Sequence, residues 1–234
     1  MMNDCKKIPI SKRLLCCAEL VPPCGTVADV GTDHGYLGIY LLRAGRCKHV
    51  IAADLREKPL SSARANAAEY HVSDQMSFVL SDGLHNIDEH QFDTLVLAGM
   101  GGDLIANILA DAPWLDGDPY TLILQPQSAS NDLRRWLGER GWAIRRERLV
   151  RDGRFLYAVM VVRPGQGRAL SPGEQYVSPA LRREGDPLYP DYLARIRRAL
   201  ELTVSGITQS TDPSDQARAA YYQAALEEII TLEG

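Results

Sequence analysis

Seven short apolar runs, most of them separated by stretches with helical spacing, constrain this chain more than any other feature of its sequence. The runs cover residues 27–30, 50–54, 77–80, 94–98, 121–125, 144–150 and 155–162, and helix-like segments at 38–44, 60–70, 104–109 and 133–140 fall between them. Strands that are apolar without polar alternation belong inside a parallel sheet covered by helices on both faces. The last two runs break the rhythm, because only Arg151-Asp152-Gly153-Arg154 separates them and Asp-Gly is a strong hairpin signal. A mostly parallel sheet that ends in an antiparallel pair is expected, which is not how a dinucleotide-binding sheet ends.

At 234 residues, 45% hydrophobic and 24% charged, the chain has room for one large α/β domain with an appendage. No stretch approaches the roughly 18 to 20 apolar residues of a membrane span, and the N-terminus lacks a signal-peptide core. A cytoplasmic protein is expected. The five cysteines, Cys5, Cys16, Cys17, Cys24 and Cys47, include no C-x-x-C pair. Reduced, packed thiols are expected, with neither a disulfide framework nor a metal site. After residue 162 the stretch RPGQGRALSPGE reads as a linker, and two helix patterns follow at 189–207 and 213–232, the second opened by Thr211-Asp212-Pro213. The expected division is a sheet domain over residues 1–164 and a helical hairpin domain over 165–234.

The formal net charge of −4 argues against a chain that holds nucleic acid by bulk charge. Its distribution differs: residues 134–198 contain 15 arginines against 7 acids. Arginine's planar fork suits phosphate, yet the same excess fits a solvated, salt-bridged surface.

The first strand leads into Asp29-Val30-Gly31-Thr32-Asp33-His34-Gly35-Tyr36-Leu37-Gly38. Open parallel sheets bind ligands at the carboxyl ends of their strands, where glycine lets a ligand approach and a helix N-terminus offers free amides. The pattern fails the dinucleotide fingerprint, since Asp33 and Tyr36 stand where G-x-G-x-x-G needs glycine. Asp29 and Asp33 would repel a pyrophosphate and suit a cation such as an ammonium or a sulfonium. Asp54 ends the second strand, where an acid can hold both ribose hydroxyls. Asp82, in Ser81-Asp82-Gly83-Leu84, ends the third, within reach of an adenine amine. Each acid alone is as readily a cap or turn former. Together, at three successive strand ends, they point to S-adenosylmethionine. The fourth strand then runs into Ala98-Gly99-Met100-Gly101-Gly102, with no nucleophile, acid or base.

Those residues carry a likeness. The chain resembles the bacterial tRNA (adenine(22)-N1)-methyltransferases of the TrmK type, in SKRLLCCAELVP, ADVGTDHGYL, SDGL, LAGMGGDLI, LILQPQ and GWAIRRERLVRDGRFLYAV, in register from about residue 11 to 160. The resemblance implies a class I methyltransferase (Rossmann-like) fold, a seven-stranded sheet with an antiparallel last strand, and a small C-terminal helical domain that contacts tRNA. It also implies that Asp29, Gly31, Asp33, His34, Gly35 and Asp54, with neighbouring Leu55, hold the cofactor, and that Asp82, Gly83 and Leu84 lie near its adenine. Three departures are visible: Gln125-Pro126-Gln127 for the family's usual QPN, Ser81 for a glycine, and Asp54 for a glutamate.

Adenine N1 attacks a sulfonium methyl through an in-plane lone pair and loses no proton, so alignment is the main catalytic need. Gly99, Met100, Gly101 and Gly102, followed by Gln125 and Pro126 on the next strand, are expected to form the acceptor floor, with Gly99 also touching cofactor and Asp33 stabilising the developing charge. The glycines would equally let the following helix pack closely. Tyr36 stacks on the target base or fills the sheet–helix interface; His34 orients the cofactor or packs as a neutral core residue. Arg134, Arg135 and Arg154 are expected to contact tRNA. A nicotinamide dehydrogenase, a non-catalytic RNA-binding protein and a methyltransferase with another substrate are the rival readings; the sequence leaves the oligomeric state open.

Overall fold

The seven apolar runs form seven strands of one sheet. A computed structural model describes residues 7–117, 120–209 and 213–232; Cys5 and the Thr211-Asp212 pair lie outside them. The elements in chain order are α1 (Lys12–Leu20), β1 (Thr26–Val30), α2 (Tyr36–Arg43), β2 (His49–Asp54), α3 (Glu57–Glu69), β3 (Met76–Leu80), β4 (Thr94–Gly101), α4 (Gly102–Ala110), β5 (Thr121–Ser128) and α5 (Ser130–Glu139). There follow β6 (Trp142–Asp152), β7 (Phe155–Gln166), α6 (Pro172–Tyr176), α7 (Pro179–Glu184), α8 (Tyr189–Thr208) and α9 (Pro213–Thr231). The strand order is β3-β2-β1-β4-β5-β7-β6. The first five strands are parallel, and β7 returns antiparallel between β5 and β6.

The period of two in each strand separates two cores. Val27, Val96, Ile123, Val159 and Val161 face one side, packed with Cys17, Leu37 and Leu41 of α1 and α2. Val30, Leu95, Leu97, Leu122 and Leu124 face the other, packed with Ile105 of α4 and Leu133 of α5. Because both faces are covered, the parallel strands need apolar residues at every position, which is why they read as continuous runs. Removing each such side chain from water contributes roughly 1.5–3 kcal/mol.

Helix α1 went unread in the residue pattern. Ser11 caps it by accepting from the Leu14 amide, and Cys16, Cys17, Ala18 and Leu20 are buried. Burial pushes the Cys16 thiol up to about 11 and raises that of Cys17, so both are neutral packing groups. Cys16, Cys17, Cys24 and Cys47 are all free.

The expected linker is mostly structured. Strand β7 runs on through Gln166, so the 164/165 boundary falls inside a strand. Ser171 and Glu174 then form a reciprocal capping box that starts α6, and Ser178 caps α7. The Pro and Gly content that suggests a linker here is helix-start chemistry. Helix α8 advances along the β6–β7 hairpin: Asp186 accepts from the Leu149 amide at 2.7 Å, Asp191 pairs with Arg151 at 2.7 Å, and Arg195 donates to the Leu156 carbonyl at 3.0 Å. It therefore runs toward the carboxyl ends of the parallel strands. Helix α9 returns alongside it, fixed by Tyr221 donating to Gln175 and by Glu228 accepting from Ser171. No helix among the described residues is long and apolar enough to cross a membrane.

Candidate active site

The chain leaves β1 toward β2 and β3 on one side and later enters β4 and β5 on the other, so the sheet order reverses between β1 and β4. The crevice at their carboxyl ends is where such a sheet takes a ligand. Gly31 and Thr32 cross it first, their amides donating to the Ala53 carbonyl at 2.8 and 3.0 Å. Gly31 has φ +77°, a left-handed backbone that a side chain would strain, and a Cβ there would lie 2.3 Å from Met100 Cε and push that side chain aside.

The acids divide by environment. Asp29 is buried, and its carboxylate accepts from the Thr32 hydroxyl at 2.8 Å. Burial pushes its pKa up to about 6 from 3.8; the Thr32 hydrogen bond lowers it in part, and the Asp54 carboxylate adds to the rise. Asp54, also buried, accepts from the amides of Asp33 at 3.4 Å and Arg56 at 3.0 Å. Asp33 is held at φ +53° with its side chain 68% exposed, 3.6 Å from the exposed His34 ring. Gly35 caps α2 beside them, and Asn66 donates to the His34 carbonyl. Leu55, directly after Asp54, is 63% exposed, an uncovered apolar side chain at a strand end. Beyond β3, Asp82 is exposed while Leu84 is buried, and Ser81 shapes the turn by donating to the Gly83 carbonyl and accepting from the Asn86 amide.

The glycine stretch does two different things. The β4–β5 ladder breaks around Met100, which stands opposite Pro126; a proline has no amide to donate there. Gly99 sits in that bulge at φ +81°, its amide donating to Gln125 Oε1 at 3.1 Å. Gly102 serves packing: a Cβ there would lie 2.4 Å from the Ala129 carbonyl oxygen. Gly101 precedes it as the cap of α4. Gln125 is fully buried and held from both ends, since Oε1 also accepts from Arg13 Nη1 at 3.1 Å and Nε2 donates to the Pro126 carbonyl.

Arg13 is the residue that sequence reasoning missed. Its guanidinium lies where a Gly99 Cβ would be 2.9 Å from Nη1, and its backbone amide donates to Asp152 at the β6–β7 turn at 3.4 Å. It thus ties α1, the glycine loop and the hairpin together. The only signal was its place in the SKRLL stretch, because its partners lie 112 and 139 residues away.

The arginine expectation needs correction at Arg134. This side chain is buried, with bonds from Nε and Nη2 to Glu147, from Nη1 to the Gln175 carbonyl, and from Nη2 to Tyr192. Burial opposes its charge, but Glu147 and Tyr192 favour it and win. Ser178 donates to the remaining Glu147 oxygen, and Tyr192 to the Tyr176 carbonyl. With all three guanidinium nitrogens bonded and the side chain buried, Arg134 cannot reach a phosphate. Much of the rest of the basic excess is paired too, in Arg135–Asp132, Arg140–Asp116, Arg146–Glu184, Arg148–Glu19 and Arg168–Glu174. Arg154, at the hairpin tip, has no acidic partner among the described residues. Tyr36 packs against His34 at 5.9 Å and edge-on to Tyr70 at 6.5 Å. No cluster of three or more metal-ligating side chains occurs among the described residues.

A family described as a methyltransferase domain matches residues 10–160. The tRNA (adenine(22)-N(1))-methyltransferase of Bacillus subtilis is 32% identical, covering 92% of this chain and 90% of that protein. The crystal structure of the B. subtilis m1A22 tRNA methyltransferase TrmK superposes with a TM-score of 0.84 at 26% identity, covering 96% of this chain and 99% of that one. A putative tRNA (m1A22) methyltransferase of Streptococcus pneumoniae, solved with S-adenosyl-L-methionine, gives 0.79 at 31% identity, covering 94% and 99%. With a crevice built from strand-end acids and a glycine bulge, and with relatives matched over nearly its whole length, this chain belongs to the tRNA (adenine(22)-N1)-methyltransferase family.

Proposed function

We propose that this chain transfers the methyl group of S-adenosylmethionine to N1 of an adenine in tRNA, at position 22 as in its relatives' names. The observation that carries the reading is a crevice with acids on the β1–β2 side and, on the β4 side, a bulge flanked by Arg13, Gln125 and Gln127, none of which is a general base. When bound, the cofactor supplies an electrophilic methyl on a sulfonium. The residues fit it: Gly31 leaves the first turn open, Asp29 and Thr32 face the pole suited to an ammonium, Asp54 keeps lone pairs for ribose hydroxyls, and exposed Leu55 offers adenine an apolar face.

The acceptor side has a separate task. Gln125, held by Arg13, fixes the Gly99 amide and so the course of the bulge, which makes Gln125 and Arg13 positioning residues. Adenine N1 arrives with a free lone pair, so the crevice needs no base. As N1 gains positive charge, the exposed carboxylate of Asp33 and the loop carbonyls stabilise it, while Asp152 offsets the guanidinium of Arg13. Moving an adenine out of a folded tRNA costs a few kcal/mol. The helical hairpin, which runs toward the same carboxyl edge, supplies shape contacts to offset that cost, and residues 165–234 are the tRNA-contact region in this reading. Incubating the protein with methyl-labelled cofactor and bulk tRNA tests it. Label in tRNA is expected; cofactor binding without transfer would favour a non-catalytic binding protein, and transfer to protein or small molecules instead would reassign the substrate.

A further inference from the structure

The tip of the β6–β7 hairpin presents an aromatic ring to solvent beside this crevice. Phe155 is 50% exposed. It alternates with Leu156 and shares the face of Val159 and Val161, which is the face that carries α1 and Arg13. The Arg154 guanidinium lies over the Phe155 ring at 4.8 Å from its centre, and the Tyr157 ring backs it at 6.0 Å.

The tip is anchored from both sides. Asp152 accepts from the Arg13 amide, and Arg13 in turn bonds Gln125 at the glycine bulge. On the opposite face, Arg151 pairs with Asp191 and Arg195 holds the Leu156 carbonyl. Single exposed apolar side chains are ordinary on a surface, but this one sits on a turn tied through Asp152 and Arg13 to the glycine bulge and carries a guanidinium over its ring. A ring paired with a guanidinium that has no acidic partner among the described residues offers a π-face and a positive charge together, the two features a nucleotide recognises.

We propose that Phe155 and Arg154 form a stacking platform for an unstacked RNA base next to the methylated adenine, with Arg154 meeting that nucleotide's phosphate. The platform rests on the tRNA-methylating reading above. It gives the chain a way to hold the acceptor strand open on the hairpin side while the adenine enters the crevice.

Steady-state methylation of transcribed tRNA by wild-type, F155A, F155L, F155W and R154A proteins, with cofactor affinity measured by calorimetry, tests the platform. F155A and F155L are expected to raise KM for tRNA about tenfold with cofactor affinity unchanged, and F155W to keep the wild-type KM. R154A should weaken tRNA binding and flatten its salt dependence. Because Phe155 is exposed, these variants keep their fold, which thermal melts verify. A KM within twofold of wild type for F155A, or full rescue by leucine, overturns the platform and leaves the methylation reading intact. Wild-type protein that methylates no tRNA overturns both. Wild-type self-association that F155A abolishes, with KM unchanged, assigns the ring to a second copy and also overturns the proposal.

Discussion

Two clusters of charge lie deep in this molecule, and they are built on opposite terms. Around Arg134 the guanidinium, the Glu147 carboxylate, the Ser178 and Tyr192 hydroxyls and two carbonyls close on one another, joining α5, β6, α6, α7 and α8. At the ends of β1 and β2, Asp29 and Asp54 are also buried but meet a hydroxyl and two amides, with no ion pair to either among the described residues. The first cluster is complete without a ligand; the second is two like charges waiting for a positive one. Formal charge does not tell these apart, and unspent bonding capacity does.

Breaking the closed cluster should have the largest effect. Arg134→Ala leaves Glu147 buried without its partner, at about 3–5 kcal/mol, which thermal melting should register as a drop of roughly 10 °C. The folded fraction should bind cofactor with wild-type affinity. A loss of tRNA binding with an unchanged melt would instead place Arg134 in the substrate interface.

The bulge comes next. Gly99→Ala puts a Cβ in a left-handed backbone and against Arg13 Nη1, so the strained loop or the guanidinium that positions it must shift. A shift on the order of 1 Å in an acceptor slot costs about 10²-fold in rate, and single-turnover kinetics should show that loss in kcat with cofactor affinity retained. An equal rate would mean that the slot tolerates displacement.

The open cluster can be sharpened through pH. Asp29 has a folded-state pKa of about 6, above its ordinary 3.8, so the folded protein binds this proton more tightly than the unfolded chain does. The stability it contributes is fully present below about pH 4 and is lost as pH rises through 6, a swing of up to about 3 kcal/mol. Asp29→Asn removes the swing, so its melting temperature should gain on wild type at pH 8 and match it near pH 4. Calorimetry should also show wild-type cofactor affinity falling as pH drops from 7 to 5, because protonation discharges the group that meets the ammonium, with Asp29→Asn weak throughout. A flat wild-type profile would remove Asp29 from that role.

The sheet was legible because covered parallel strands must be apolar at each position, and the Asp152-Gly153 turn announced the antiparallel end. The placement of Asp29, Asp54 and Asp82 at or just beyond successive strand ends was legible because each closes an apolar run. Arg134 was not, since a count weighs every arginine alike and its partners Glu147, Gln175 and Tyr192 come from three elements. Arg13 was hidden for the same reason: its role exists only once residues 13, 99, 125 and 152 meet. The short helices α6 and α7 were masked by proline and glycine, although Ser171 and Glu174 carried the capping-box spacing.

The central claim is that the β4 bulge, lacking any base, serves a nucleophile that needs none. Nucleoside mass spectrometry of tRNA treated with the protein and cofactor, digested at neutral pH, tests it most directly. The account predicts N1-methyladenosine as the product, at one position. N6-methyladenosine, whose amino group must shed a proton, or a methylated base other than adenine, would contradict it.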